Sequence, residues 1–172
     1  MRPAAWIFVA AITALSPIAQ GDELADGIAA VRKKDYFNAV RLLMPLAQAG
    51  NAQAQLELGD LYYHGHGVKE SDEEALRWYE RAARQGLTQA QFQAGNMYAY
   101  GLGTAANDLE IDRKAALYYF EAARQGHREA QYGLAILILA GKGVERDDAE
   151  AYKWMKRAAD QGHEDARRYV SR

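Results

Sequence analysis

Apolar side chains recur along most of this chain at spacings of three and four. Over 54–68 (AQLELGDLYYHGHGV), Ala54, Leu58, Gly59 and Tyr62 fall on one face of a helix. The stretches 90–104 (AQFQAGNMYAYGLGT) and 130–144 (AQYGLAILILAGKGV) repeat that pattern. A second periodic block follows each one: 75–86 (ALRWYERAARQG), 116–126 (ALYYFEAARQG) and 151–162 (AYKWMKRAADQG). No run of alternating β-branched residues is bounded by turns, so the expectation is helix throughout, an all-α chain. The pairs predict units of two helices and a turn, with a period of 36, 40 and 36 residues.

The positions inside a unit have separable jobs. Gly59 and Gly95 lie within helices, at a cost of about 1 kcal/mol relative to alanine, which implies close approach by a neighbouring helix. The pairs Ala82-Ala83, Ala122-Ala123 and Ala158-Ala159 supply matching small surfaces, and Trp78-Tyr79, Tyr118-Tyr119 and Trp154-Met155 fill space between units. Glycines at 65 and 67, 101 and 103, and 141 and 143 mark the turns, and those at 50, 86, 126 and 162 end the second helices. The G-x-G is no dinucleotide fingerprint, because no strand precedes it. Ser71-x-x-Glu74 and Asp147-x-x-Glu150 read as capping boxes.

The middle unit holds four extra residues between Gly103 and Ala115. Asn107-x-x-Glu110 stands where the cap should be, and four residues are about one helical turn. The second helix of this unit is therefore expected to be one turn longer; the other reading is an acidic loop at 108–112. Residues 22–33 and 36–49 form a shorter leading unit, and 163–170 begin one more first helix with Arg167 and Arg168 on a polar capping end. The predicted units span 22–51, 52–87, 88–127 and 128–163, with a partial cap at 164–172.

Composition narrows the setting. Arg2 precedes an apolar stretch from Ala4 to Leu15, followed by small residues around Ala19 and Gly21. This reads as a signal peptide over 1–21, cut after Ala19 or Gly21, which places the mature chain in the periplasm or outside the cell. The apolar run is short for a membrane span, and no second one is present. Removing 1–21 takes away Arg2 and no acid, leaving 20 basic against 23 acidic residues, a net −3. That balance disfavours nucleic acid as a partner. With no cysteine, the chain must hold together without disulfides.

The pattern A-x-x-x-L-G-x-x-Y-x-x-G-x-G-V, then A-x-x-W-Y-x-x-A-A-x-Q-G, resembles the Sel1-like, tetratricopeptide-related repeat. Here it is carried by Ala54, Leu58, Gly59, Tyr62, Gly65, Gly67, Val68, Ala75, Trp78, Tyr79, Ala82, Ala83, Gln85 and Gly86. The resemblance implies a right-handed α-solenoid of antiparallel helix pairs whose first helices line a concave face. It also implies an adaptor or regulator holding a protein or peptide partner, with exported members that include immunity proteins neutralising secreted toxins. Three departures stand out: Thr104 for the turn valine, Ile138 for the tyrosine and Ala135 for the glycine. They are expected to loosen packing in those units.

Partner contacts are expected at first-helix positions that vary between units. These are Glu57, Asp60, Tyr63 and His64; then Gln93, Asn96 and Tyr100; then Ile136 and Leu139. The row passes from acidic to apolar. Leu134 to Ala140 is apolar all round, which predicts either a buried helix or an exposed patch at Ile136 and Leu139, the patch being favoured. His64-Gly65-His66 has a spacing a metal could use but lacks an obvious third ligand. His127 and His163 occupy equivalent helix starts. No nucleophile sits in a recognisable motif, and related β-lactam-binding or β-lactam-hydrolysing repeats depend on cysteine pairs that this chain lacks. Neither catalysis, metal nor cofactor is expected.

Overall fold

In the computed structural model, residues 17–105 and 107–171 are described, and they contain helices and no strand. The helices are α1 (Pro17–Arg32), α2 (Tyr36–Gln48), α3 (Ala52–Tyr63), α4 (Asp72–Arg84), α5 (Thr88–Ala99), α6 (Asp108–Arg124), α7 (Arg128–Ala140), α8 (Asp148–Asp160) and α9 (Glu164–Val170). Each packs against the next, and α5 also touches α7. The result is a solenoid of antiparallel helix pairs. The proposed signal lies mostly outside the described residues; both candidate cleavage bonds fall in α1, ahead of Leu24, the first described side chain to reach the core.

Two adjoining apolar clusters form the core. One, built on Leu43, Leu46, Leu58 and Trp78, joins the leading unit to its neighbour, and the other runs from Leu56 to Ala166. Tyr62 packs on both. The helical glycines meet the second-helix aromatics: a Cβ on Gly59 would run into the Tyr79 ring, and one on Gly95 would come 2.6 Å from Tyr119 Cδ1. In the third unit Ala135 stands at the glycine position and Met155 at the tyrosine position, both fully buried. The loosening expected from Ala135 is absent there, because an extra methyl is matched by a slimmer, flexible partner.

The long second helix is present. α6 has 17 residues, against 13 in α4 and in α8, and Asn107 Oδ1 accepts the Glu110 N–H at 3.0 Å. At the start of α4, Ser71 Oγ accepts the Glu74 N–H at 3.2 Å, but the return half of the box is missing. Ser71 N–H donates to the Tyr62 carbonyl instead, and Glu74 pairs with Arg77 at 3.0 Å. In the G-x-G turns, the second glycine has φ near +70° and presses on the preceding unit's second helix. A Cβ on Gly143 would collide with the Asp112 carbonyl.

A glutamine ladder ties the units together, and the repeat pattern alone had not given it a role. Gln55, Gln91 and Gln131 are buried, and their amides donate to the Ala47, Ala83 and Ala123 carbonyls at 3.0, 3.3 and 3.1 Å. Their oxygens accept from Gln85, Gln125 and Gln161 at 2.8, 2.7 and 2.8 Å. At the next such position Arg167 Nε donates to the Ala159 carbonyl at 3.1 Å. Each rung satisfies a helix-end carbonyl that burial would otherwise leave unpaired.

Candidate functional site

The first helices α3, α5 and α7 line a groove. Its upstream cleft is bounded by Tyr63, Tyr79, Gln93, Asn96, Met97, Tyr100 and Leu102. A larger one of about 440 Å³ adjoins it, lined by Phe92, Asn96, Tyr100, Tyr119, Tyr132, Ile136 and Leu137, with His163 and Lys142 at its edge. Asn96 and Tyr100 belong to both. Tyr63, Gln93, Asn96, Tyr100 and Ile136 are thus brought to one continuous surface, as the helical register requires.

Hydrogen bonds order the groove floor. Tyr79 O–H donates to Asp60 Oδ1 at 2.6 Å, and Tyr119 O–H donates to Asn96 Oδ1 at 2.8 Å. Gln93 links the two units, accepting from Asn96 Nδ2 at 3.4 Å and bonding to Asp60. Burial raises the Asp60 carboxyl above its usual range, although the bonds from Tyr79 and Gln93 pull it back in part. Glu57 is raised for the same first reason, against a 2.8 Å bond from Gln53 Nε2, and Asp60 adds like-charge repulsion. Burial also pushes the Tyr119 phenol up to about 12 and the Tyr79 phenol higher. These hydroxyls are donors, not nucleophiles, at neutral pH.

Four expected residues line neither cleft: Glu57, Asp60, His64 and Leu139. Leu139 is partly buried against the core and lines neither cleft, so the exposed patch reduces to Ile136, which is 41% exposed. α7 is clasped by α6 and α8, and Ile136 lies on a side left open to the groove. His64 caps the end of α3 on the surface, its ring edge-on to Tyr63. His66 stacks on Tyr36 at 4.1 Å, and the two histidine rings lie 5.4 Å apart. Among the described residues no three His, Asp or Glu side chains converge as a metal site would need. No helix of the described residues is long and apolar enough to cross a membrane.

Other lining residues escaped the sequence reading. Phe92 and Tyr132 occupy equivalent positions and stack on His127 and His163 at 4.3 and 4.1 Å. Each histidine Nδ1 caps the helix that follows, accepting from Ala130 N at 3.2 Å and from Ala166 N at 3.3 Å. Burial lowers the His127 pKa, in keeping with an acceptor nitrogen. An aromatic recurring with a histidine one unit later was the available signal.

Comparison with known proteins places the chain. The Sel1 repeat model matches residues 52–87, 88–127 and 128–163. A crystal structure of a Sel1 repeat protein from Oxalobacter formigenes is 35% identical with a TM-score of 0.74, over 84% of this chain and 56% of that one. A protective antigen of uropathogenic Escherichia coli strains, displaying an SLR fold, is 29% identical with a TM-score of 0.78, over 86% of this chain and 32% of that one. Cysteine rich protein B of Helicobacter pylori shares the fold alone, at 22% identity and a TM-score of 0.53, over 82% of this chain and 92% of that one. Among curated proteins none matches. The chain therefore spans about half the length of the first of these structures and a third of the second. Three successive matched repeats, over a solenoid shared with those structures, make this chain a member of the Sel1 repeat family, whose proteins generally mediate protein–protein interaction.

Proposed function

We propose that this chain is a non-enzymatic binding module of the bacterial envelope, an adaptor or regulator that seats a protein or peptide segment in the groove of α3, α5 and α7. The observation that carries the reading is the joining of two clefts through Asn96 and Tyr100, with Tyr100 77% exposed over the junction. A tyrosine so placed offers a large amphipathic contact at small entropic cost. Asp60 is bonded to Tyr79 and Gln93 at the upstream cleft and Ile136 lines the other, so a segment with a cationic group at one end and apolar side chains at the other fits the groove. Partly dehydrated carboxylates gain most from such a cation. Export rests on Arg2 and the apolar stretch behind it. Either cleavage bond leaves every described core side chain in the mature chain.

A photo-crosslinking residue at position 100 should trap a partner in the envelope fraction. With that partner purified, Tyr100→Ala and Ile136→Ser are each expected to weaken binding by about tenfold, with thermal stability unchanged. Unchanged affinity in the double variant would remove the groove from consideration. The intact mass of the periplasmic protein tests the signal separately.

A further inference from the structure

The units differ at one internal slot. In the second, Tyr98 is 3% exposed, and its O–H donates to Glu80 Oε1 at 2.8 Å. Its ring stacks on Tyr118 at 5.8 Å, and Lys114 Nζ lies 5.0 Å from the ring centroid. One unit later Ile138 stands in place of Tyr98, Phe120 in place of Glu80, Trp154 in place of Tyr118 and Glu150 in place of Lys114. The tyrosine is gone, together with its acceptor and its covering cation.

A cleft of about 440 Å³ occupies that position, walled by Leu117, Phe120, Ile138, Val144 and Trp154. Leu117 is 55% and Phe120 43% exposed. Close packing would normally shut such a space. Here Gly143 seats the α7–α8 turn directly on the backbone of Asp112 and Arg113, so the far wall cannot move in. The cleft opens on the Leu134 and Ile138 side of α7, away from the groove that Gly133 and Ile136 face. Glu145, Asp147 and Glu150 stand on its rim, with Arg113 the cation among the lining residues and Arg157 over the Trp154 ring at 4.3 Å. Asp147 caps α8 and Glu150 shares an exposed pair with Lys153, while Glu145 has no ion pair among the described residues.

We propose that this cleft is a second binding site, and that its occupant is an aromatic side chain of a partner polypeptide, flanked in the partner's sequence by lysine or arginine. The neighbouring unit supplies the template: an inserted tyrosine ring with a lysine over its face, both from this chain. The third unit keeps the slot, lines it with apolar walls and reverses the rim charge, so ring and cation come from outside. An aromatic anchor in a dehydrated pocket is the usual core of a protein contact.

The test titrates the full chain with the peptide Ac-Lys-Tyr-Lys-amide, following the Trp154 indole N–H by NMR. A saturable shift is expected, weaker by about tenfold or more with Ac-Lys-Ala-Lys-amide and with Ac-Glu-Tyr-Glu-amide. Ile138→Tyr fills the slot from within and should abolish the shift, while Ile136→Ser, in the groove, should leave it intact. No saturable shift at millimolar peptide, or equal binding by Ile138→Tyr, overturns the proposal. If Ile138→Tyr loses its helical circular dichroism, the exposed Leu117→Ser decides: a tenfold loss supports the site, and unchanged affinity overturns it.

Discussion

Asp60 is a residue whose chemistry is set by its surroundings. Its folded pKa lies above the unfolded value, so the stabilisation tied to its proton is fully present below about pH 4 and is lost as pH rises through the folded value. At neutral pH the ionised, half-buried carboxylate is a standing cost. Asn96 shows what relieves it: an amide oxygen accepts the Tyr119 hydroxyl equally well. Asp60→Asn is therefore expected to raise the midpoint of urea unfolding at pH 7, with the gain fading to nothing near pH 4. A gain that stays constant with pH would show that burial of charge is not its source. The position was readable in the sequence as a varying, groove-facing residue. Its bond to Tyr79 was not, because that contact joins side chains 19 residues apart on different helices.

At the scale of the element, the first and second helices of a unit are fitted to each other by a triplet. Gly59, Asp60 and Tyr79 become Gly95, Asn96 and Tyr119, and then Ala135, Ile136 and Met155. The glycine leaves room for the ring, the polar side chain takes its hydroxyl, and all three change together. Gly59→Ala should cost about 1–3 kcal/mol, since its methyl overlaps the Tyr79 ring. Adding Tyr79→Met should recover part of that loss, and double-mutant unfolding measures the coupling. Additive losses would sink the idea of a fitted pair. Helix lengths were legible from caps and spacing, including the added turn of α6, because those signals are local. The partial burial of Leu139 was not legible, because a wholly apolar helix does not say which side its neighbours cover.

For the whole molecule, cohesion depends on what crosses from unit to unit. Besides the apolar core, the crossing contacts include the buried glutamine amides on the preceding unit's Ala47, Ala83 and Ala123 carbonyls, the Tyr98–Glu80 and Gln93–Asp60 bonds, and the turn glycines. Gln91→Leu should cost about 1–3 kcal/mol in chemical unfolding, because it strands the Ala83 carbonyl and removes the acceptor of Gln125. Gln125→Ala, at the exposed end of the same rung, should cost less. Equal costs would mean that the buried bond adds nothing. Repeat number and pairing could be read from the chain at sight. The outer cleft was legible only in part: the aligned units show Ile138 in place of the tyrosine, but that Phe120 and Trp154 leave the space open depends on how separate helices pack.

The ladder also has a direction. A glutamine at each rung both gives and receives, so a duplicated unit inserted between existing ones finds a carbonyl on the preceding unit and brings its own amide to complete the rung. Arg167 gives to Ala159 but has no oxygen with which to receive. Lengthening this solenoid by gene duplication is therefore easy in its interior and obstructed beyond α9 until position 167 reverts to glutamine.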